Sequence, residues 1–171
     1  MDIQENFVNK VAASGLITLN LEEYFHPGER IVYDIKENLF HGLMLREKDF
    51  REFIKNHDWT AYQGKNIAIV CSADAIVPTW AYMLLANKMK PYANEVVFGS
   101  LETLEAVLFT KALAKIDLAA FAGERVVIKG CADIDVTVAA YVEITNLLTP
   151  VVKSIMYGEP CSTVPIFKRK D

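Results

Sequence analysis

GKNIAIVCSADAIVPTWAYMLLA, residues 64 to 86, places a buried strand, a short loop and an apolar helix in direct succession. The strand is the apolar run that ends at Val70, and the loop carries Cys71 and Asp74. Pro78 opens the helix, because the first helical turn leaves its backbone N–H groups unpaired and tolerates a residue that has none. An apolar strand followed at once by a helix is typical of parallel sheets.

The same alternation continues towards the C-terminus. Apolar strands are predicted at about 66–71, 95–98, 125–130 and 153–157, and helices at about 78–90, 101–114 and 136–149. Ser100 is the expected cap of the second of these helices, and Asp135 or Thr137 that of the third. Alternating strands and helices imply right-handed crossovers. The predicted fold class is therefore α/β, with a mostly parallel sheet in three α/β/α layers.

Residues 1–45 are interpreted as an extension of this sheet. A four-residue apolar spacing predicts a helix over 3–13, and alternating apolar residues predict strands at 17–21 and 31–35. Residues 39–45 are interpreted as a third strand. Together these segments are expected to form a small antiparallel β extension.

The alternating core is predicted to span 46–171 and to begin with an amphipathic helix at 47–57. We identify no internal repeat, low-complexity segment or flexible linker. Residues 1–171 are therefore expected to form a single α/β domain.

The composition narrows the class of protein. The chain has 171 residues, 52% of them hydrophobic, and a formal net charge of −4. A negative net charge argues against nucleic acid as a partner, and no apolar run is long enough to span a membrane. The N-terminus resembles no export signal, and the cysteine count is odd, so a cytoplasmic protein without a disulfide framework is expected.

Cysteines follow three of the predicted strands. Cys71, Cys131 and Cys161 each lie at or just beyond a strand end. If those strands are parallel neighbours in one sheet, the three thiols reach the same edge, where α/β proteins place their binding sites. Thiolates are ligands for zinc and other soft metals. We therefore predict a metal site of Cys71, Cys131 and Cys161 with Asp74 as a fourth ligand and zinc as the expected cofactor.

Two alternatives stay open. Cys131 precedes a predicted helix N-terminus and lies near Lys129, an environment that favours a reactive thiolate, so a metal-free redox or sulfur-transfer protein is the second hypothesis. The third is a non-enzymatic interaction module with buried structural cysteines. No local zinc, nucleotide or nucleophile motif decides between them, so whether the protein is an enzyme is left open. A small-molecule ligand at the C-terminal sheet edge and a homo-oligomer are also considered.

Four stretches carry a resemblance to a known family. They are LREKDFREF (45–53), CSADAIVPTWAYM (71–83), VVIKGC (126–131) and VKSIMYGEPCSTVP (152–165). With them the chain resembles a bacterial family catalogued only as a domain of unknown function, number 2480, from about Lys10 to Lys168. The resemblance implies a single-domain cytoplasmic protein and assigns no activity or catalytic residue.

Overall fold

The computed structural model describes residues 9–11 (backbone only), 15–129 and 133–170. Its strands are β1 (Asn9–Val11), β2 (Leu16–Asn20), β3 (Arg30–Asp34), β4 (Asn66–Val70), β5 (Glu95–Phe98), β6 (Arg125–Lys129), β7 (Ser154–Glu159) and β8 (Ser162–Lys168). Its α-helices are α1 (Glu47–Asn56), α2 (Thr79–Met89), α3 (Leu101–Leu113) and α4 (Val138–Leu148).

The predicted α/β class is confirmed, with mixed and mostly parallel sheets. Two predicted helix caps are also confirmed. The Ser100 hydroxyl accepts a hydrogen bond from the Thr103 N–H at 3.2 Å, at the start of α3. The Thr137 hydroxyl accepts one from the Ala140 N–H at 3.3 Å, at the start of α4. Both caps satisfy backbone donors that the first helical turn leaves unpaired.

The strands form two sheets, which belong to two compact units. Unit 1 comprises Met1–His26 and Leu108–Asp171, and unit 2 comprises Pro27–Val107. Unit 1 contains a five-stranded sheet in the order β1-β2-β6-β7-β8, and unit 2 a three-stranded sheet in the order β3-β4-β5. The boundary falls within α3. Whether the units make up one folding domain, as expected from the sequence, stays a prediction.

The N-terminal region differs from the expected antiparallel extension. An antiparallel pair exists between β1 and β2, but β2 pairs in parallel with β6, and β3 in parallel with β4. Each is thus the first strand of a parallel sheet. Short alternating segments look alike in either type of sheet, because strand direction is set by a partner distant in sequence.

Two further N-terminal predictions need correction. Asn9–Val11 is a strand rather than part of a helix, and the other residues of the predicted 3–13 helix lie outside the described part of the chain. Residues 39–45 form a turn held by one bridge between Phe40 and Met44, where the positive φ of His41 and Gly42 reverses the chain.

The C-terminal hairpin was not predicted. β8 pairs antiparallel with β7, with Glu159 opposite Ser162, so that Pro160 and Cys161 form the turn. Pro165 within β8 weakened the strand pattern in the sequence, and proline is tolerated here because β8 is the last strand in its sheet order.

Both units repeat the same order of elements. Unit 2 runs through β3, a 3-10 helix (Ile35–Asn38), α1, a 3-10 helix (Trp59–Tyr62), β4, α2 and β5. Unit 1 runs through β2, a 3-10 helix (Leu21–Tyr24), the end of α3, a 3-10 helix (Leu118–Phe121), β6, α4 and β7. Unit 2 lies, in sequence, between the first strand of unit 1 and the rest of that unit.

The repeat extends to the sequence. Residues 58–99 align without a gap on 117–158, at a constant separation of 59 residues. Identical pairs include Asp58 and Asp117, Gly64 and Gly123, Asp74 and Asp133, Ala81 and Ala140, Tyr82 and Tyr141, and Pro91 and Pro150.

Backbone geometry and strand register agree with this alignment. The Gly64 N–H donates to the Tyr92 carbonyl at 2.9 Å, and the equivalent Gly123 N–H donates to the Val151 carbonyl at 2.8 Å. Both glycines have φ near 70° (69° and 72°). In unit 2 the register aligns Arg30 with Asn66 and Glu95; in unit 1 it aligns Leu16 with Arg125 and Ser154. The chain is therefore an internal duplication.

Each unit has its own core, built from equivalent positions. The buried pairs are Phe50 and Phe109, Ile54 and Leu113, Ile67 and Val126, Ala81 and Ala140, Leu85 and Ile144, and Met89 and Leu148. In unit 2 both α1 and α2 pack with alternate strand residues in one cluster, so the helices cover one sheet face. Ala68 lies on the opposite face of the sheet and is fully buried, and Arg30 on that face of β3 pairs with Glu105 of α3. Both faces of this sheet are therefore covered.

The expectation that the chain has no internal repeat is wrong. The two copies preserve size and hydrophobicity at core positions more often than they preserve the residue, as with Leu85 and Ile144. Core packing tolerates such exchanges when volume is maintained. The repeat is therefore clear in burial and hydrogen bonding but weak in residue identity.

Candidate functional site

Asp34 lies at the carboxyl end of β3 and binds the loop that follows β4. Its carboxylate accepts hydrogen bonds from the Ser72 N–H at 3.1 Å and from the Ser72 hydroxyl, and another from the Lys36 N–H at 3.1 Å. Desolvation acts to raise the pKa of this carboxyl, but the hydrogen bonds from Ser72 and Lys36 and the Lys36 charge outweigh it and lower the pKa. Asp34 is thus an ionised anchor for the loop, with its oxygens largely occupied.

Cys71 and Tyr82 lie next to this anchor. Cys71 is half-buried, packs against the unit 2 core, and donates from its thiol to the Ala73 carbonyl at 3.5 Å. Burial raises the pKa of Tyr82, and the negative charges that Cys71 and Asp34 can carry raise it further. The Tyr82 ring also meets Phe98 edge-on, with centroids 5.1 Å apart. The Cys71 thiol is therefore part of a packed polar and aromatic cluster.

Unit 1 repeats this architecture with different chemistry. Asn20 takes the place of Asp34 and accepts from the Glu22 N–H at 3.2 Å. The loop after β6 is held by the Glu22 carboxylate, which accepts from the Ile134 N–H at 3.1 Å. Tyr141 meets Tyr157 edge-on at 5.6 Å, as Tyr82 meets Phe98. The anchoring of the strand-end loop is common to both units, but the acidic residue that anchors it is not at the same position.

The cysteines do not share a sheet, which removes the premise of the predicted metal site. Cys71 follows β4 in the sheet of unit 2, while the strands before Cys131 and Cys161 are β6 and β7 in the sheet of unit 1. Cys161 is exposed in the turn of the β7–β8 hairpin, and Cys131 lies outside the described residues. Asp74 is exposed on the loop after β4.

Within residues 15–129 and 133–170, no three His, Cys, Asp or Glu side chains lie close enough together to hold a metal ion. The predicted ligand set of Cys71, Cys131, Cys161 and Asp74 stays a prediction as a whole, because Cys131 lies outside the described residues.

The comparisons with known proteins identify a family. A family model described as "Protein of unknown function (DUF2480)" matches residues 5–169, nearly the whole chain. The chain belongs to the DUF2480 family. The resemblance to this family drawn from the four sequence stretches is thereby confirmed, while a bacterial origin and a cytoplasmic location stay predictions. No curated protein and no solved structure matches this DUF2480 chain.

The surface of this DUF2480 chain carries an apolar feature that sequence reasoning missed. Leu43, Met44 and Ile76, hereafter the apolar edge, are 66%, 54% and 89% exposed. An isolated parallel bridge joins Met44 to Ile76, so the loop after β4 and the turn at 40–44 lie side by side. Neither segment has a regular apolar period, and the pattern of the sequence therefore gave no signal.

The apolar edge is held in place by its backbone. The Phe40 N–H donates to the Met44 carbonyl at 2.7 Å, and the Leu43 N–H donates to the Phe40 carbonyl at 3.1 Å. The Arg46 guanidinium lies over the Phe40 ring, 3.1 Å from its centroid. Leu43 and Met44 are thus presented to solvent by a well-bonded turn, and Ile76 by the loop that is bridged to it.

One structural finding bears on membranes. None of the helices formed by the described residues combines the length and apolar character needed to cross a bilayer.

Proposed function

We propose that this DUF2480 protein is a non-enzymatic interaction module that pairs with a second copy of itself through the apolar edge of unit 2. The exposure of Ile76, 89%, in a loop whose backbone is fixed is the observation that carries the proposal. Contiguous exposed apolar surface marks interaction sites, because leaving it in water forgoes the free energy of burial.

We propose a second copy of the chain as the occupant, because an uncharged apolar surface is where two chains of like charge can meet. Each chain has a net charge of −4, so two copies repel unless the surfaces that meet are uncharged. Leu43, Met44 and Ile76 carry no charge. In a two-fold symmetric contact each residue is used twice, which doubles the apolar area removed from water.

The cysteine hypotheses receive less support. Metal binding through Cys71, Cys131 and Cys161 rested on their strands being neighbours in one sheet, and β4 is not in the sheet of β6 and β7. Thiol chemistry at Cys131, with Cys71 or Cys161 as its partner, stays a prediction, because Cys131 lies outside the described residues. The interaction hypothesis itself needs one amendment, since Cys161 is not a buried structural cysteine.

The first test measures mass in solution. Sedimentation equilibrium of the full chain should show a concentration-dependent dimer of the 19.2 kDa monomer. Ile76→Lys and Met44→Lys should each shift it to monomer, because the symmetric contact would then contain two added charges. Circular dichroism verifies that the variants remain folded.

Val138→Lys is the matched control. Val138 is 78% exposed on α4 of unit 1, outside the apolar edge, and its replacement should leave the dimer unchanged. A wild-type chain that stays monomeric at roughly 0.5 mM, where a Kd of about 1 mM would still populate dimer, overturns the proposal. So does equal loss of dimer in the Val138→Lys control.

A further inference from the structure

Helices α1 and α2 of unit 2 border a groove that the apolar edge does not include. Its volume is about 350 Å³, and it is open to solvent. Arg51, Ile54 and Lys55 line it from α1, and Leu84 and Lys88 line it from α2. Three cationic side chains thus surround two aliphatic ones.

Two of these cations are uncompensated. Arg51 pairs with Glu47 at 2.9 Å, and its guanidinium lies 5.5 Å from the centre of the Trp80 ring. Lys55 and Lys88 have no ion-pair partner anywhere in the described ranges. A chain with a net charge of −4 therefore concentrates positive charge in this groove.

The duplication supplies an internal comparison. The positions in unit 1 that align with Arg51, Lys55 and Lys88 hold Thr110, Ala114 and Leu147, and Glu143 takes the place of Leu84. The buried residue of the groove is aliphatic in both units, since Ile54 aligns with Leu113. The fold of a unit therefore does not require cations at these positions. Exposed cationic side chains are common on helices, but here two lysines and an arginine occur in one copy only.

We propose that this groove binds an acidic, amphipathic protein segment. Aliphatic side chains of the segment would pack on Ile54 and Leu84, and its carboxylates would pair with Lys55, Lys88 and Arg51. The cations extend from two different helices rather than from one helix N-terminus or glycine loop, an arrangement that suits charges spread along a segment better than a single phosphate. This inference is independent of self-association through the apolar edge.

The test uses the full chain and a defined probe. The probe is a helical peptide of about fifteen residues, long enough for marginal helicity in water, with two leucines four residues apart and glutamates on both sides. Titration into ¹⁵N-labelled protein should shift the amide signals of α1 and α2 near Lys55, Leu84 and Lys88. Quenching or enhancement of Trp80 fluorescence gives a second readout, since Arg51 lies beside that ring.

Charge reversal tests the contact directly. Lys55→Glu and Lys88→Glu should each weaken peptide binding at least tenfold, and binding should weaken as salt increases. Lys115→Glu, an exposed lysine of unit 1, changes the net charge equally and should have little effect. The same peptide with glutamine for glutamate should not bind.

Three results would overturn the proposal. They are absence of shifts at about 1 mM peptide, where even weak binding is visible, equal loss of binding in the Lys115→Glu control, and shifts outside α1 and α2. Pyrophosphate is titrated in parallel. If pyrophosphate shifts the same amides while the peptide does not, the groove is a small-anion site and the segment proposal is wrong. The dimer measured by sedimentation is unaffected by any of these results, so the two proposals fail separately.

Discussion

Asp34 is the residue whose ionisation most directly fixes the strand-end loop. Its pKa is lowered in the folded chain, so its contribution to stability is complete above the unfolded value of about 4 and is lost as pH falls through the folded value. Asp34→Asn should lower the free energy of unfolding at pH 7 by about 1 kcal/mol, since Asn keeps one acceptor oxygen but loses the charge and the second oxygen, to which the Ser72 hydroxyl donates. The difference in unfolding free energy between Asp34→Asn and wild type should shrink as the pH falls below about 4. Urea unfolding at pH 7, 4 and 2.5 measures it.

Asp74→Asn is the control for Asp34→Asn. Asp74 is an exposed carboxylate near the same loop, and no hydrogen bond to its side chain occurs among the described residues. Its replacement should change the free energy of unfolding by no more than about 0.5 kcal/mol. If Asp34→Asn lowered the free energy of unfolding by the same amount at all three pH values, the charge of Asp34 would not be what stabilises the loop.

At the residue scale, the sequence showed which residues follow a strand, but it did not show which of those residues lie close together in the fold. It placed Cys71, Cys131 and Cys161 after strands, and the strands β4, β6 and β7 are present. It could not show that β4 belongs to a different sheet, because sheet membership depends on pairing between residues far apart in sequence. Leu43 and Ile76 were missed for the same reason: their segments are joined by a bridge that no local pattern encodes.

At the scale of elements, the β7–β8 hairpin depends on one glycine. Gly158 has φ 121°, and a Cβ added there would lie 2.7 Å from the Ser162 backbone oxygen on the opposite strand. Backbone atoms of a paired strand cannot move aside as a side chain can. Gly158→Ala should therefore cost more stability than Gly123→Ala, where φ is 72° but nothing lies within 4 Å of the added Cβ.

The comparison of these two glycines measures the clash together with the greater backbone strain at φ 121°. Gly123→Ala should cost about 1–2 kcal/mol, the price of a left-handed conformation for an L-residue. Gly158→Ala should lower the free energy of unfolding by more than this and should also speed amide exchange in β8. Thermal unfolding and hydrogen exchange of both variants provide the measurements, and equal costs would mean that the hairpin relaxes away from the added methyl group.

Most elements were predictable from sequence because they are encoded locally. Apolar runs predicted β4, β5 and β6, and capping residues predicted the starts of α3 and α4. The predicted bounds are close to those observed. The exceptions are segments whose conformation depends on distant partners. β2 and β3 were expected to be antiparallel, because an alternating strand carries no information on direction. β8 was not predicted, and Pro165 interrupts its strand pattern.

At the scale of the whole molecule, the duplication makes the two units unequal. Unit 2 is continuous in sequence, from Pro27 to Val107, whereas unit 1 must bring β2 together with β6 across the whole of unit 2. When unit 2 is folded, the chain between β2 and α3 is a structured insertion. When unit 2 is unfolded, that chain is a long flexible loop, whose closure costs entropy. Unit 1 should therefore depend on unit 2 more than unit 2 depends on unit 1.

Equivalent core substitutions test this dependence. Leu85→Ala in unit 2 and Ile144→Ala in unit 1 remove aligned, fully buried side chains, and each should cost about 2–5 kcal/mol. In native-state hydrogen exchange, Leu85→Ala should speed exchange of amides in both β4 and β6. Ile144→Ala should speed exchange in β6 while β4 keeps most of its protection. The opposite asymmetry would contradict the argument from chain connectivity, and equal effects of the two variants would mean that the units unfold as one cooperative body.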